Sequence, residues 1–224
     1  SPGEPASPWD VGVTAPAAPT VEVGGAIASA ADGVFARTTD GVTWTAATES
    51  PLGAESVTAS ASVSGSDVVF GNAGGASYSA DGVTWAASSA QPLSGGKAVV
   101  SAGSIGSTIV AVGQGGLIST SGDGGATWLI RTSGVTDGLN KVAASSGLFV
   151  VAGNAGKILT SADGATWASR SSGFGTSAVL GAEYLGSLFL AFGENGKLAT
   201  SSDGTAWTDR TSAFGSTSIR AAAK

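Results

Sequence analysis

The stretch Val142-Ala-Ala-Ser-Ser-Gly-Leu-Phe-Val-Val-Ala-Gly-Asn-Ala-Gly-Lys-Ile-Leu-Thr-Ser-Ala-Asp-Gly-Ala-Thr-Trp167 decides the fold. Its apolar runs are short, are broken by Gly, Asn and Asp, and show no helical period. With its flanks it reads as four strands, near Asn140–Ala144, Leu148–Gly153, Lys157–Thr160 and Thr166–Arg170. Asp163-Gly164 is expected to be the tight turn joining the third and fourth, because an Asp-Gly pair tolerates the positive backbone angles such a turn needs.

The same pattern recurs along the chain. Thr39-Asp-Gly-Val-Thr-Trp44, Ala80-Asp-Gly-Val-Thr-Trp85, Gly122-Asp-Gly-Gly-Ala-Thr-Trp128, Ala162-Asp-Gly-Ala-Thr-Trp167 and Ser202-Asp-Gly-Thr-Ala-Trp207 align, with 41, 43, 39 and 40 residues between successive tryptophans. Four short strands every 40 or so residues is the length of a propeller blade. The expected fold is therefore all-β, a five-bladed β-propeller of four-stranded blades over residues 21–224, preceded by an extended Pro-rich arm over residues 1–20. The first unit begins with its second strand, Ala26–Ala30, so ring closure needs a first strand from elsewhere. Ser218-Ile-Arg-Ala-Ala-Ala223 is one candidate and Val21-Glu-Val23 the other. The presumed inner strands, such as Val57-Thr-Ala-Ser-Ala-Ser62 and Ala98-Val-Val-Ser-Ala102, carry the small side chains that a narrow axis requires.

The repeated turn resembles the Asp-box, or BNR repeat, with the pattern Ser/Thr-x-Asp-x-Gly-x-Thr-Trp. Ser121-Gly-Asp-Gly-Gly-Ala-Thr-Trp128 matches it at full length, and the other copies are one residue shorter between Asp and Trp. The resemblance covers roughly residues 24–223 and implies structural roles. Asp40, Asp81, Asp123, Asp163 and Asp203 would hold the hairpins through backbone N–H groups, and Trp44, Trp85, Trp128, Trp167 and Trp207 would pack against their blades. Stacking platforms for sugars are the rival reading of the tryptophans.

Composition excludes much of enzymology. The chain of 224 residues has no Cys, His or Met, so it offers no thiolate, no Ser-His pair and no usual zinc cluster. Isolated Asp residues make a poor Ca²⁺ site, and no cofactor is expected. A net charge of −6 argues against nucleic acid as a partner, and no apolar run is long enough for membrane insertion. The N-terminus lacks the features of a signal peptide, which fits either a removed leader or loss of only an initiator Met. Sialidases, the best-known enzymes of the resembled family, use an Arg triad with Tyr and Glu. Here Arg131, Arg170 and Arg210 instead share one repeat position, where they are expected to bond strand ends or face solvent. A glycosidase would need two opposed carboxylates, and the presumed inner strands offer only Glu183, with Glu55 just before another. The chain is expected not to be an enzyme.

Two features fall outside the repeat. The arm holds five of the seven prolines together with Trp9, and Pro2, Pro5, Pro8 and Trp9 are its candidate attachment residues. The second feature lies seven positions after each repeat Trp, where Pro51, Pro92, Val135, Phe174 and Phe214 would either cap the core between blades or form an apolar rim. The surface, poor in Lys and Glu, suits packed assembly or an extracellular particle. Short propellers of this kind resemble proteins of bacteriophage virions, secreted bacterial surface proteins and photosystem assembly factors. The leading expectation is a virion decoration or tail-associated protein at a virion or extracellular surface, bound to a capsid, a tail or a neighbouring subunit. A secreted carbohydrate-binding or adhesive propeller, with a glycan as ligand, is the alternative, and a photosystem-assembly-factor-like propeller is the second.

Overall fold

The computed structural model describes residues 26–29, 35–38, 42–46, 52–53, 55–63, 65–93 and 95–222. The arm with Pro2, Pro5, Pro8 and Trp9, the rival closing segment Val21-Glu-Val23, and Asp40 and Pro51 lie outside the described residues.

Alternation of β-rich runs with Gly-rich breaks produces antiparallel sheets throughout. The first sheet has β1 (Ala26–Ser29), β2 (Phe35–Thr38) and β3 (Thr45–Ala46). Four four-stranded sheets follow. They are β4 (Val57–Val63), β5 (Ser66–Gly71), β6 (Ala76–Ser79) and β7 (Ala86–Ala87); then β8 (Val99–Ile105), β9 (Thr108–Gly113), β10 (Ile118–Ser121) and β11 (Leu129–Arg131). The last two are β12 (Leu139–Ala144), β13 (Phe149–Gly153), β14 (Ile158–Ser161) and β15 (Ala168–Arg170), and β16 (Val179–Tyr184), β17 (Phe189–Gly193), β18 (Leu198–Ser201) and β19 (Thr208–Arg210). In each, the strands pair in sequence order, as the blade of a β-propeller does. The strands read around Val142–Trp167 lie within two residues of those found.

The core sits between blades. Each second strand is buried on both faces, because one face meets the preceding blade and the other the following one. Between the second and third blades, Val68, Phe70 and Ala76 pack against Leu93, Val99, Ile109, Ala111 and Trp128. The next junction repeats this with Val110, Val112 and Ile118 against Leu139, Phe149, Val151 and Leu159, and with Trp167 half-buried beside them. The next again sets Val150, Ala152 and Ile158 against Phe174, Val179, Phe189 and Ala191, with Leu148 and Trp207 at its margin.

The inner strands β4, β8, β12 and β16 each begin with a bulge, at Val57/Ala59, Val99/Ser101, Leu139/Lys141 and Val179/Gly181. A bulge bends its strand and re-aims a side chain. Here it turns Thr58 and Asn140 toward the neighbouring blade. Thr58 Oγ1 donates to the Val99 carbonyl at 2.7 Å and Asn140 Nδ2 to the Val179 carbonyl at 3.0 Å. Ser104 Oγ donates to the Ser62 carbonyl at 2.7 Å, so short polar side chains tie the inner strands around the axis.

Two expectations are corrected. Asp163-Gly164 is not a two-residue turn: β14 ends at Ser161 and β15 begins at Ala168, and of the pair only Gly164 has a positive φ, at 73°. Side-chain bonds hold this longer connection together, so the backbone has no need of the tighter geometry. The second correction concerns closure. Residues 217–222 form no strand, although the Ile219 N–H donates to the Gly193 carbonyl at 2.9 Å and its side chain is buried. The C-terminal run is thus seated against the fifth blade where a new inner strand would begin, yet among the described residues it pairs with no second strand.

Candidate functional site

The repeated turn uses one hydrogen-bonding scheme throughout. After β14, Ser161 Oγ donates to Asp163 Oδ1 at 2.9 Å and accepts the Gly164 N–H at 2.8 Å. Asp163 Oδ1 also accepts the N–H groups of Ala165 and Thr166, both at 2.8 Å. The Trp167 indole N–H closes the loop on the Gly164 carbonyl at 2.9 Å. Ser79, Asp81, Gly82 and Trp85 repeat the arrangement, as do Ser201, Asp203, Gly204 and Trp207. In the full-length copy Asp123 accepts the Thr127 N–H at 3.0 Å and its hydroxyl at 2.5 Å, while Gly125 takes the place of Gly164.

These bonds favour the ionised carboxylate. The N–H groups of Thr84 and Val83 bring Asp81 from 3.8 down to about 2. The Thr166 and Ala165 N–H groups hold Asp163 well below the usual carboxylate range, and those of Thr205 and Ala206 lower Asp203. At Asp123 burial is the largest single influence and pushes upward, but the bonds from Thr127 and Ser121 outweigh it. A carboxylate held this way is an anchor for backbone rather than a proton donor.

Trp85 and Trp128 are buried at 9% and 8% exposure, Trp167 and Trp207 are partly buried, and Trp44 is 46% exposed. The three repeat arginines sit alike. Nε of Arg131, Arg170 and Arg210 donates to Oγ1 of Thr120, Thr160 and Thr200 at 2.8, 2.8 and 2.7 Å, tying the fourth strand to the third in each blade. Of the two acids near the inner strands, Glu55 Oε2 accepts the N–H groups of Ala73 and Gly75 at 3.1 and 3.3 Å. Glu183 pairs with Lys141 at 3.4 Å. Lys141 was not legible as its partner, because the two stand 42 residues apart and meet only through adjacent inner strands.

At the candidate rim positions, Pro92 and Phe174 are buried, Val135 is half-buried and Phe214 is exposed. Phe174 belongs to the core between the fourth and fifth blades. These positions do not join into a continuous apolar rim. Among the described residues there is no cluster of His, Cys, Asp and Glu that could hold a metal ion, and no helix long and apolar enough to cross a membrane.

These sheets and junctions define the chain as a β-propeller. YCF48 from Cyanidioschyzon merolae shares the fold at a TM-score of 0.59 and 15% identity, over 82% of this chain and 69% of that one. YCF48 bound to D1 peptide is similar at 0.59 and 16%, over 80% and 60% of the two chains. The GH74 enzyme of Niastella koreensis is similar at 0.53 and 18%, over 82% of this chain and 29% of its own. The chain thus spans well under two thirds of the D1-bound protein and of the GH74 enzyme. No protein family model matches the sequence, and no curated protein matches it.

Proposed function

We propose that the chain is a non-catalytic Asp-box propeller that serves as a rigid protein-binding module. One observation carries this reading: the repeat Asp and Arg side chains bond within their own blades, and Glu55 and Glu183 are both engaged. A hydrolytic site needs opposed acids free to exchange protons with substrate. What remains for function is the surface, rich in Ser, Thr, Ala and Gly.

Within this class the role is that of a virion decoration or tail-associated protein at a virion or extracellular surface. The rigid disk forms the module, and residues 1–20 attach it to a capsid, tail or neighbouring subunit. Five prolines restrict that arm before binding, which lowers the entropy lost on docking. A second reading, an assembly factor that binds a client peptide, is favoured by the likeness in fold to YCF48, which has been solved with D1 peptide.

The test compares the full chain with a form lacking residues 1–20. The expected result is an unchanged melting temperature and loss of co-sedimentation with particles from the producing host. Undiminished co-sedimentation overturns the attachment role, and specific retention on a glycan array supports the carbohydrate-binding alternative in its place.

A further inference from the structure

The internal repeat supplies its own control, because one junction can be compared with three others position by position. The leading face of each blade is formed by two residues of its second strand and one of its third. These are Val68, Phe70 and Ala76 in the second blade, Val110, Val112 and Ile118 in the third, and Val150, Ala152 and Ile158 in the fourth, all buried. Leu190, Phe192 and Leu198 occupy the same positions in the fifth, yet Leu190 and Leu198 are partly exposed. Leu148 is packed into the junction after the fourth blade, whereas its counterpart Leu188 is 37% exposed. Phe174 is 1% exposed and its counterpart Phe214 is 55% exposed. Among the described residues no core cluster contains Leu190, Phe192, Leu198 or Phe214.

The complementary face is also uncovered. At the junctions between blades, the leading face is covered by the trailing face of the next blade with its repeat Trp; Trp128 against Phe70 is the clearest case. Phe192 stands at the Phe70 position, so the matching partner is the Trp of a following blade. Trp44 is that residue in the first blade, and it is 46% exposed. The C-terminal run, seated on the fifth blade by Ile219, offers an inner strand without a second strand. The first sheet begins at a second strand, β1, with no inner strand among the described residues.

We propose that the leading face of the fifth blade docks the first blade of a second copy of this chain, with the C-terminal run of one copy completing the sheet of the other. The occupant follows from the three junctions already present, since this one would continue them with the same side chains at the same positions. Two unlike, complementary faces on one chain give a head-to-tail contact, which grows into a ring or an open filament according to the angle between copies. This self-association does not depend on the partner proposed above, and purified protein suffices to test it.

The chain has no cysteine, so single thiols can be placed freely. Trp44→Cys and Leu188→Cys are made as separate chains, mixed, and treated with a short bis-maleimide. The expected product is a mixed dimer, and light scattering of the unmodified chain should show mass rising with concentration. Leu198→Lys, at a partly exposed position, should weaken self-association at least about tenfold, or 1.4 kcal/mol, with its circular dichroism unchanged. Two results overturn the proposal. One is a monomer at every concentration; the other is a chain carrying both cysteines that cross-links only within itself, which would mean that the first and fifth blades close on each other.

Discussion

Phe70 and Trp128 meet edge to face across a blade junction, with ring centroids 5.4 Å apart and planes at 64°. The contact joins the second strand of one blade to the repeat turn of the next, so each repeat Trp serves two blades. Its indole N–H secures its own turn at the Gly125 carbonyl while its ring covers the neighbour's core. Trp128→Ala is expected to cost about 3–5 kcal/mol, the usual penalty for deleting a large buried aromatic. Denaturant melts measure it, and a double-mutant cycle with Phe70→Leu should give a coupling of roughly 0.5–1.5 kcal/mol for the ring pair. A sugar-stacking Trp would instead lose binding at constant stability.

Acid should loosen the repeat turns together. Asp81 falls from 3.8 to about 2 in the folded chain because it accepts the N–H groups of Thr84 and Val83. A depressed folded-state pKa stabilises the fold above the unfolded value, and that contribution is lost as pH falls through the folded one. Melting temperature should therefore hold steady from neutral pH to near 4 and fall between about 4 and 2, where Asp123, Asp163 and Asp203, all lowered, add to the loss. Asp81→Asn in a pH series of thermal melts should flatten part of the slope, and an unchanged profile would sink the assignment.

Two serines of the third and fourth blades should respond oppositely to alanine. Ser161 Oγ gives one hydrogen bond and takes another inside the turn after β14. Its loss leaves Gly164 N–H, on a buried residue, without its partner, at a cost of about 1–3 kcal/mol. Ser119, on β10, is fully buried and its hydroxyl has no partner among the described residues. Ser119→Ala removes an unpaired polar group, so it should be neutral or stabilising. Thermal melts of the two variants side by side decide it, and a large loss for Ser119→Ala would mean that its hydroxyl is satisfied.

Strand positions were legible because punctuation is local. Gly153-Asn-Ala-Gly156 and Ala162-Asp-Gly164 mark strand ends wherever the chain goes next. The hairpin length was not, since it rests on Ser161 and Asp163 bonding to backbone already in place. The inner-strand bulges were hidden for a different reason: Thr58 and Asn140 are turned toward carbonyls about 40 residues away, on neighbouring blades. Closure was least legible of all. The angle between blades depends on side-chain volumes summed across every junction, and no local pattern around Ser218–Ala223 carries that sum. Of the residues singled out for function, the repeat Asp and Trp could be placed in their turns by spacing alone. The exposed counterparts of core residues, Leu188 and Leu198, emerge only when blades are compared.

Phe174 and Phe214 share one repeat position and separate the stability of the fold from its assembly. Phe174 follows the fourth blade, is 1% exposed and packs with Val150, Val179 and Phe189. Phe174→Ala should therefore cost about 3–5 kcal/mol at any protein concentration. Phe214 follows the fifth blade and is 55% exposed, with its N–H donating to Ser212 Oγ at 3.3 Å. Truncating it removes little buried surface from a single chain, so in dilute solution Phe214→Ala should shift stability by no more than about 0.5 kcal/mol. At high concentration the same variant should lose whatever extra melting temperature the unmodified chain gains by self-association, because a ligand or subunit that binds only the folded form stabilises it by mass action. Thermal melts of both variants over a dilution series read both effects. Equal losses from the two substitutions in dilute solution would show that Phe214 is already buried in the isolated chain, as it would be if the first and fifth blades were joined.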